Sequence, residues 1–260
     1  MIIERGINMK LTFLGTSCGV PQKDRYCSSC MIECGDGTYL IDAGAPVAEL
    51  LRKYGKTPVD LNAVFITHMH GDHLDGLPGL VNIMDWYYKT ADPAIFLPDI
   101  SYVEKLEAWI SVFRCGGPVR PKKFCSIREG VIYVDSNISV TAIRTKHVKG
   151  GARPSYAYIV ESVVEGDKSR VLFTGDLSRS CEDYPTLAYE DRTFSAVVCE
   201  AAHFDPRDKI ELFKKTRTKR FLVNHAGVRI SRDGYGYLHE FAYRMPFEVC
   251  IVKDGEVYYL

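Results

Sequence analysis

One seven-residue segment constrains this chain more than any other feature: Thr67-His68-Met69-His70-Gly71-Asp72-His73. It holds three imidazoles and a carboxylate directly after a short apolar run, Ala63 to Ile66, which predicts a buried strand. His68 and His70 alternate, so an extended or turning backbone can aim both at one ion. Gly71 then permits a sharp turn that lets Asp72 and His73 face a second ion. Imidazole and carboxylate suit zinc, iron or manganese, so the segment predicts a metal site rather than a polar loop with incidental histidines.

Three further candidate ligands come after other predicted strands. They are His147 after Ser139 to Ile143, Asp176 after Val171 to Thr174, and His225 after Phe221 to Asn224. Taken singly, such a histidine is more often a packed or hydrogen-bonded residue. Together with the first segment, and at matching strand ends, these residues favour ligation. A carboxylate oxygen can bridge two cations, and Asp176 is the candidate bridge.

The order of predicted elements indicates an α/β chain. Early strands without helices and later strands alternating with helices predict stacked sheets with helices outside, a four-layer αβ/βα sandwich. The length of 260 residues, 46% of them hydrophobic, suits a single domain over residues 1–260. A helix is expected over Arg207 to Thr216, and a closing hairpin over Val249 to Val252 and Val257 to Tyr259, around Asp254-Gly255.

Composition narrows the class of partner and the compartment. The chain has 33 Lys and Arg residues and 33 Asp and Glu residues, so its net charge is zero and does not by itself favour binding to nucleic acid. No apolar run is long enough to span a bilayer and the first eight residues hold no signal core, which predicts a cytoplasmic protein with no membrane contact. Two interpretations stay open for four of the nine cysteines: they bind a structural metal ion, or they are buried thiols of the core. These four are Cys18, Cys27, Cys30 and Cys34.

His68, His70, Asp72 and His73 match an H-x-H-x-D-H motif, and with it the chain resembles the metallo-β-lactamase-fold hydrolase superfamily along essentially its whole length. The resemblance implies two divalent metal ions, zinc first and manganese or iron as alternatives. It assigns His68, His70 and His147 to the first ion, Asp72, His73 and His225 to the second, and Asp176 to both. True β-lactamases of this fold usually place a cysteine near the position of Asp176, and flavo-diiron oxidoreductases have a carboxylate in place of His70, so neither branch is expected.

The N-terminal segment narrows the branch further. Phe13 to Arg25, followed by Ser28-Ser29, resembles the opening of ribonuclease Z, the tRNA 3′-processing endonuclease. Val198 to Ala202 resembles the family's strand that ends in a glutamate, and His225 to Arg229 keeps the family's histidine and arginine spacing. Ribonuclease Z of the common bacterial type carries a long arm that grips tRNA. Only Glu161 to Arg170 stands in its place, so the resemblance is to a ribonuclease Z-like branch without that arm.

The resemblance also implies roles in a hydrolytic reaction driven by a metal-bridging hydroxide. Asp72 is expected to accept a proton as well as bind metal, and Glu200 or His203 to position ligands or carry a proton to the leaving group. Lys149 and Arg153 flank His147 and Arg229 follows His225, so these three are expected to hold phosphate oxygens.

Three functions remain open. The leading hypothesis is a phosphodiesterase acting on a small or single-stranded phosphodiester, such as a cyclic phosphate, a nucleotide or a short RNA end. The alternatives are tRNA 3′-end cleavage and a metalloprotein that binds nucleotides without turnover. A thioesterase-like hydrolase is a weaker rival. Members of the superfamily often form dimers, so a homodimer is included among the expected partners.

Overall fold

Two mixed β-sheets, packed face to face, form the centre of the computed structural model, which describes residues 9–20, 22–190, 192–227 and 236–260. The first six strands belong to one sheet: β1 (Met9–Gly15), β2 (Ser29–Cys34), β3 (Gly37–Ile41), β4 (Leu61–Phe65), β5 (Ala94–Leu97) and β6 (Lys123–Ser126). The next seven form the second sheet: β7 (Gly130–Val134), β8 (Ile138–Arg144), β9 (Tyr156–Ser162), β10 (Arg170–Phe173), β11 (Ala196–Ala201), β12 (Arg220–Ala226) and β13 (Glu248–Ile251).

The two sheets share one pattern of strand directions. In the first, the last strand β14 (Val257–Tyr259) joins the edge, giving the order β14-β1-β2-β3-β4-β5-β6. Pairing is antiparallel from β14 to β3 and parallel from β3 to β6. The second sheet is likewise antiparallel from β7 to β10 and parallel from β10 to β13. The parallel strands end at a common edge of each sheet, where polar side chains can meet.

Helices cover both outer faces. In the described part of the chain, the α-helices are α1 (Val47–Lys53), α2 (Gly71–Leu74), α3 (Leu77–Trp86), α4 (Val103–Phe113), α5 (Ile210–Phe213) and α6 (Gly236–Tyr243). Three apolar clusters separate the layers: one between the sheets, one between the first sheet and α1, α3 and α4, and one between the second sheet and α5 and α6. Because both faces are covered, β3, β10 and β11 are buried along their whole length.

This architecture is the expected four-layer αβ/βα sandwich, but two local predictions are wrong. The C-terminal strands do not form a hairpin, because β13 pairs with β12 in the second sheet while β14 pairs with β1 in the first. The helix expected over 207–216 is a 3-10 turn over Pro206–Lys209 followed by only one turn of α5. That residues 1–260 form a single domain stays a prediction.

Membrane contact was not expected. Across the described ranges, no helix combines the length and the apolar character that a membrane span needs. The cytoplasmic location stays a prediction.

Candidate metal centre

The predicted ligands meet at the edge where the parallel strands end. His68 and His70 follow β4, and Asp72 and His73 lie in the single-turn helix α2. The remaining ligands come from the second sheet: His147 after β8, Asp176 after β10 and His225 near the end of β12. The Tyr156 amide donates to the Thr67 carbonyl at 2.9 Å, which fixes the start of the histidine segment against the second sheet.

Four of these residues form one group, which we call the histidine cluster: His68, His70, His147 and Asp176. The His70 Nδ1 atom lies 2.9 Å from His68 Nε2 and 3.2 Å from His147 Nε2. Asp176 Oδ2 lies 3.6 Å from Nε2 of both His68 and His147. His147 Nδ1 donates a 3.1 Å hydrogen bond to the Leu177 carbonyl, which leaves the lone pair of Nε2 to bind a metal ion.

A second group brings together Asp72, His73 and His225. Asp176 approaches His73 and His225 of this group, and we call the four residues the carboxylate cluster. His73 Nε2 lies 3.4 Å from Asp72 Oδ2 and 3.5 Å from Asp176 Oδ1. His225 Nε2 lies 3.6 Å from Asp72 Oδ2 and 3.3 Å from Asp176 Oδ2. Asp176 therefore lies between the two clusters, and its role as a bridge between two ions stays a prediction.

Backbone conformation aims two of these residues. Gly175, before Asp176, has φ +56°, and a Cβ there would lie 2.8 Å from the Tyr156 carbonyl oxygen. His225 has φ 50°, in the left-handed region that non-glycine residues rarely adopt. Backbone strain of this kind concentrates at functional sites.

Asp42, directly after β3, supports the carboxylate cluster from behind and was not expected from the sequence. Its Oδ2 atom accepts a 2.6 Å hydrogen bond from His73 Nδ1, and its Oδ1 accepts bonds of 2.7 and 2.9 Å from the Thr67 amide and hydroxyl. A carboxylate on the far nitrogen fixes the tautomer of a metal-binding histidine and raises its basicity. The left-handed backbone of Asp42, φ 61°, sets this residue apart, but that conformation is visible only in the structure and not in the sequence.

The charges in the centre depend on one another. Burial and the neighbouring His73 lower the pKa of His68 well below its ordinary value. Burial also opposes ionisation of Asp176, but His225, His73 and His68 outweigh it and hold the pKa of that carboxyl well below its ordinary range. Burial lowers the pKa of His73, yet Asp176 and Asp42 raise it well above the ordinary value. The buried carboxylates thus depend on nearby positive charge.

These residues fit two divalent cations. His73 Nε2 and Asp176 Oδ1 are buried and have no hydrogen-bond partner among the described residues, although they face each other at 3.5 Å. Orphaned buried polar atoms are rare in folded proteins. The nitrogen separations of 2.9 and 3.2 Å in the histidine cluster are close to the roughly 3.3 Å expected of two nitrogens on a tetrahedral zinc ion. Imidazole and carboxylate are also the donor set that zinc prefers in catalytic sites.

Glu200 and His203 lie beside the same centre. The Glu200 carboxylate accepts from the amides of Leu177, Ala202 and His203 at 3.0, 2.8 and 3.0 Å, and from His203 Nδ1 at 3.0 Å. His203 Nδ1 is also 3.7 Å from Asp176 Oδ2. Burial lowers the pKa of His203, but the Glu200 hydrogen bond and charge outweigh it and raise the pKa to about 9.

A cavity of about 470 Å³ opens beside the histidine cluster, and His70 is part of its wall. The predicted substrate-binding residues Lys149 and Arg153 line it, together with residues that the sequence did not indicate, among them Tyr102, directly before α4, and Lys105 in α4. Arg153 Nη1 lies 3.9 Å from Asp99 Oδ2 at the same wall. Drug-sized ligands occupy cavities of roughly 300–1,000 Å³. The third predicted residue, Arg229, lies outside the described residues.

The four N-terminal cysteines do not form a metal site in the described part of the chain. No cysteine there belongs to a group of three or more ligand atoms within 4.8 Å of one another. Cys30 and Cys34 instead pack in the apolar cluster between the sheets, which favours the interpretation as core thiols.

Comparison with known proteins agrees with the fold. A family model described as anti-Pycsar protein Apyc1 matches residues 9–208. Ribonuclease Z of Methanocaldococcus jannaschii is 32% identical over 162 residues, which are 60% of this chain and 49% of that protein. Ribonuclease Z of Geobacillus kaustophilus is 30% identical over 245 residues, which are 89% of this chain and 75% of that protein. The chain thus spans about half the length of the first relative.

Solved structures give the same fold. The metallo-β-lactamase fold protein YhfI from Bacillus subtilis superposes with a TM-score of 0.73 at 20% identity, covering 96% of this chain and 98% of that one. A diphosphatase from the PhnP family gives a TM-score of 0.68 at 16% identity, covering 96% of this chain and 97% of that one. The chain belongs to the family described as anti-Pycsar protein Apyc1, and it is a ribonuclease Z-like protein of the metallo-β-lactamase fold.

Proposed function

We propose that the protein is a binuclear metal-dependent phosphodiesterase that acts on a small or single-stranded phosphodiester. One observation carries the proposal: Asp176 joins two ligand clusters, and a cavity of small-molecule size, lined by basic residues, opens beside one of them. The ribonuclease Z relatives and the diphosphatase structure support chemistry on phosphate esters.

In this proposal the histidine cluster holds one ion and the carboxylate cluster the other, with zinc favoured over manganese or iron by the donor set. Bound divalent ions supply Lewis acidity, lowering the pKa of a coordinated water and neutralising charge on a phosphoryl oxygen. Every other task falls to the protein's own side chains.

Asp72 is the residue best placed to accept a proton from the attacking water. Its side chain is 12% exposed, whereas those of His73 and Asp176 are 2% and 3% exposed. Burial raises the pKa of Asp72, but hydrogen bonding and charge from His73, together with His225, outweigh it and keep the pKa below its ordinary value. The carboxylate is therefore ionised at neutral pH.

His203 is placed to give a proton to the leaving oxygen. It reaches towards Asp176, and its ring lies 4.5 Å from that of His147, so it faces the same space as the ligands. Glu200, fixed by three backbone amides, accepts from His203 Nδ1 and orients the ring. We assign His203 as the general acid and Glu200 as its positioning residue.

The cavity fits the organic part of a small substrate. Its wall combines apolar side chains with Lys105, Lys149 and Arg153, so it can hold an apolar or planar group while the cations bind phosphate oxygens. Residues 163–169 alone connect β9 to β10, where the bacterial ribonuclease Z arm would stand. This short connection favours a small substrate over folded tRNA.

The proposal is tested with zinc- or manganese-loaded protein and bis-para-nitrophenyl phosphate. We expect hydrolysis by the wild type and loss of it in His70→Ala and Asp72→Ala. Protein that binds two ions and shows no hydrolysis with either metal would contradict the proposal and favour a nucleotide-binding metalloprotein without turnover. Cleavage of precursor tRNA by the same preparation would support the ribonuclease Z alternative, which the names of the relatives favour.

The expected homodimer belongs to the same proposal. Five exposed apolar side chains lie on or next to α3 and α4: Trp86, Tyr87, Trp109, Val112 and Phe113. Since aromatic side chains cover 150–250 Å² each, the exposed parts of the four aromatic residues add up to roughly 500 Å², more than half of the ~800 Å² per partner of a standard interface. We expect a second copy to cover this face. Light scattering should show a dimer that Trp109→Ser weakens, and a monomer at all concentrations would contradict the assignment.

A further inference from the structure

The segment that resembles the opening of ribonuclease Z packs against Asp72. We call its connection between β1 and β2 the N-terminal loop (residues 16–20 and 22–27). A Cβ on Gly19 would lie 3.5 Å from the Asp72 carboxylate. At the other end of the loop, a Cβ on Gly44 would lie 2.7 Å from the Cys27 Cβ and 2.3 Å from the Asp72 carbonyl oxygen. The loop, Gly44 and Asp72 are therefore in close contact.

Asp254, in the turn between β13 and β14, holds both ends of this loop. Its Oδ1 atom accepts a 2.6 Å hydrogen bond from the Thr16 hydroxyl, and its Oδ2 accepts a 2.6 Å bond from the Tyr26 amide. Within the loop, the Ser17 amide donates to the Tyr26 carbonyl at 2.8 Å, which closes its neck. One carboxylate thus joins the start and the end of the N-terminal loop to a part of the chain more than 220 residues away.

Arg25 completes the junction. It is 7% exposed, and its Nη1 atom donates to the Thr16 hydroxyl at 2.5 Å and to the Val252 carbonyl at 2.7 Å. Burial raises the pKa of Asp254, and the bonds from Thr16 and Tyr26 and the charge of Arg25 oppose that rise only in part. An acidic side chain is therefore kept where its surroundings disfavour charge.

We propose that Asp254 is a positioning residue for Asp72, because it presses the N-terminal loop against the carboxylate cluster and so fixes the second metal site. This rests on the proposed function, since it takes Asp72 as a metal ligand. The role requires a specific consequence: loosening the loop frees Asp72 and weakens the carboxylate cluster. The histidine cluster should keep its affinity, because the contact described here between the loop and the centre is with Asp72.

The experiment measures Zn²⁺ affinity by competition with a chelator, which needs no substrate. For Asp254→Ala we expect two binding steps as in the wild type, one unchanged and one weaker by about 10- to 100-fold, the range for residues that support metal ligands from outside. Thr16→Val should weaken the same step. The double variant Thr16→Val with Asp254→Ala should bind zinc little more weakly than Asp254→Ala alone, because both changes break one junction. Asp254→Asn, which keeps an acceptor oxygen, should fall between the wild type and Asp254→Ala.

Glu248→Ala is the matched control, since it also removes a carboxylate, from the neighbouring strand β13. The Glu248 carboxylate pairs with Arg220, away from the loop. Equal affinities in Asp254→Ala and wild type would overturn the proposal. So would equal weakening of both steps, or weakening by Glu248→Ala of the same size, because each indicates a general loss of stability. A wild type that binds two Zn²⁺ ions but cleaves no phosphodiester would contradict the proposed function and leave the comparison of zinc affinities intact.

Discussion

The two ligand clusters share Asp176 but are built in different ways. In the carboxylate cluster, His73 and His225 are 1% and 3% exposed, and Asp42 holds His73 from behind. In the histidine cluster, His70 is exposed and forms part of the wall of the 470 Å³ cavity. The comparison teaches that one cluster is fixed by the protein around it, whereas the other faces the space that a substrate would enter.

The largest effect is expected where the clusters meet. Asp176→Ala removes the carboxylate that contacts His68, His73, His147 and His225, so both clusters should lose zinc affinity together. Loss of a direct ligand should lower phosphodiester hydrolysis by at least about 10³-fold, since activation of water depends on the ion. Zinc content and turnover of the same preparation check this. Retention of two tightly held ions would show that Asp176 does not bridge.

A smaller effect, confined to one cluster, is expected from Asp42→Asn. Asparagine tolerates the left-handed backbone at this position but cannot supply the charge that fixes His73. We expect about 10- to 100-fold weaker zinc binding in the carboxylate cluster alone. Asp135→Asn is a suitable control, because Asp135 accepts from Tyr39 and Tyr133 away from the centre. Equal weakening in both clusters would remove the distinction between them.

Changes in the cavity wall beside the histidine cluster should weaken substrate binding. Lys149→Ala and Arg153→Ala should each raise KM by about tenfold, since a hydrogen bond to a charged group contributes about 1.5–3 kcal/mol and these side chains are solvent-exposed. The value of kcat and the zinc content should stay the same. Lys215→Ala, an exposed lysine outside the cavity, is the control. A fall in kcat at unchanged KM would place these residues in the chemical step instead.

The smallest effect on turnover is expected at the outer wall of the cavity. Asp85 in α3 accepts from Arg114 at 2.7 Å, from the Arg120 amide at 3.0 Å and from Lys122, which follow α4 and anchor it. Burial raises the pKa of Asp85, but the bonds from Lys122 and Arg120 outweigh it and hold the pKa below its ordinary value. This carboxylate therefore stabilises the fold above its unfolded pKa, near 3.9, and that stability is lost as pH falls through the folded pKa.

Asp85→Asn should accordingly lower the free energy of unfolding by about 2–4 kcal/mol at pH 7, less than for a fully buried pair because Arg120 is 42% exposed. The difference from wild type should shrink as the pH falls below 4, because the wild-type carboxylate is then protonated as well. Denaturant unfolding at several pH values measures both. A difference that does not change with pH would show that charge at Asp85 is not what anchors α4.

The sequence predicts which residues meet at this edge of the sheets, because their signals are local. Three histidines and an aspartate fall in one short segment, and His147, Asp176 and His225 each follow an apolar run that ends at the same sheet edge. Asp42 has no such signal: one aspartate before Ala43-Gly44 also suits an ordinary turn, and its contact with His73 joins residues 31 apart.

The prediction of a C-terminal hairpin is wrong for a related reason. Asp254-Gly255 between two apolar runs is a hairpin pattern, but pairing depends on which edges are free. The edge of β12 takes β13 and the edge of β1 takes β14, so the turn crosses between the sheets and carries Asp254 to the N-terminal loop. Cavity residues such as Tyr102 and Lys105 depend on how α4 packs, which no local pattern shows.

The most direct test of the central claim compares turnover of a cyclic mononucleotide with cleavage of precursor tRNA by the same zinc-loaded protein, with His70→Ala as the inactive control. We predict hydrolysis of the cyclic nucleotide, dependent on His70, and little or no cleavage of tRNA. Efficient cleavage of tRNA with no hydrolysis of the small phosphodiester would contradict the account.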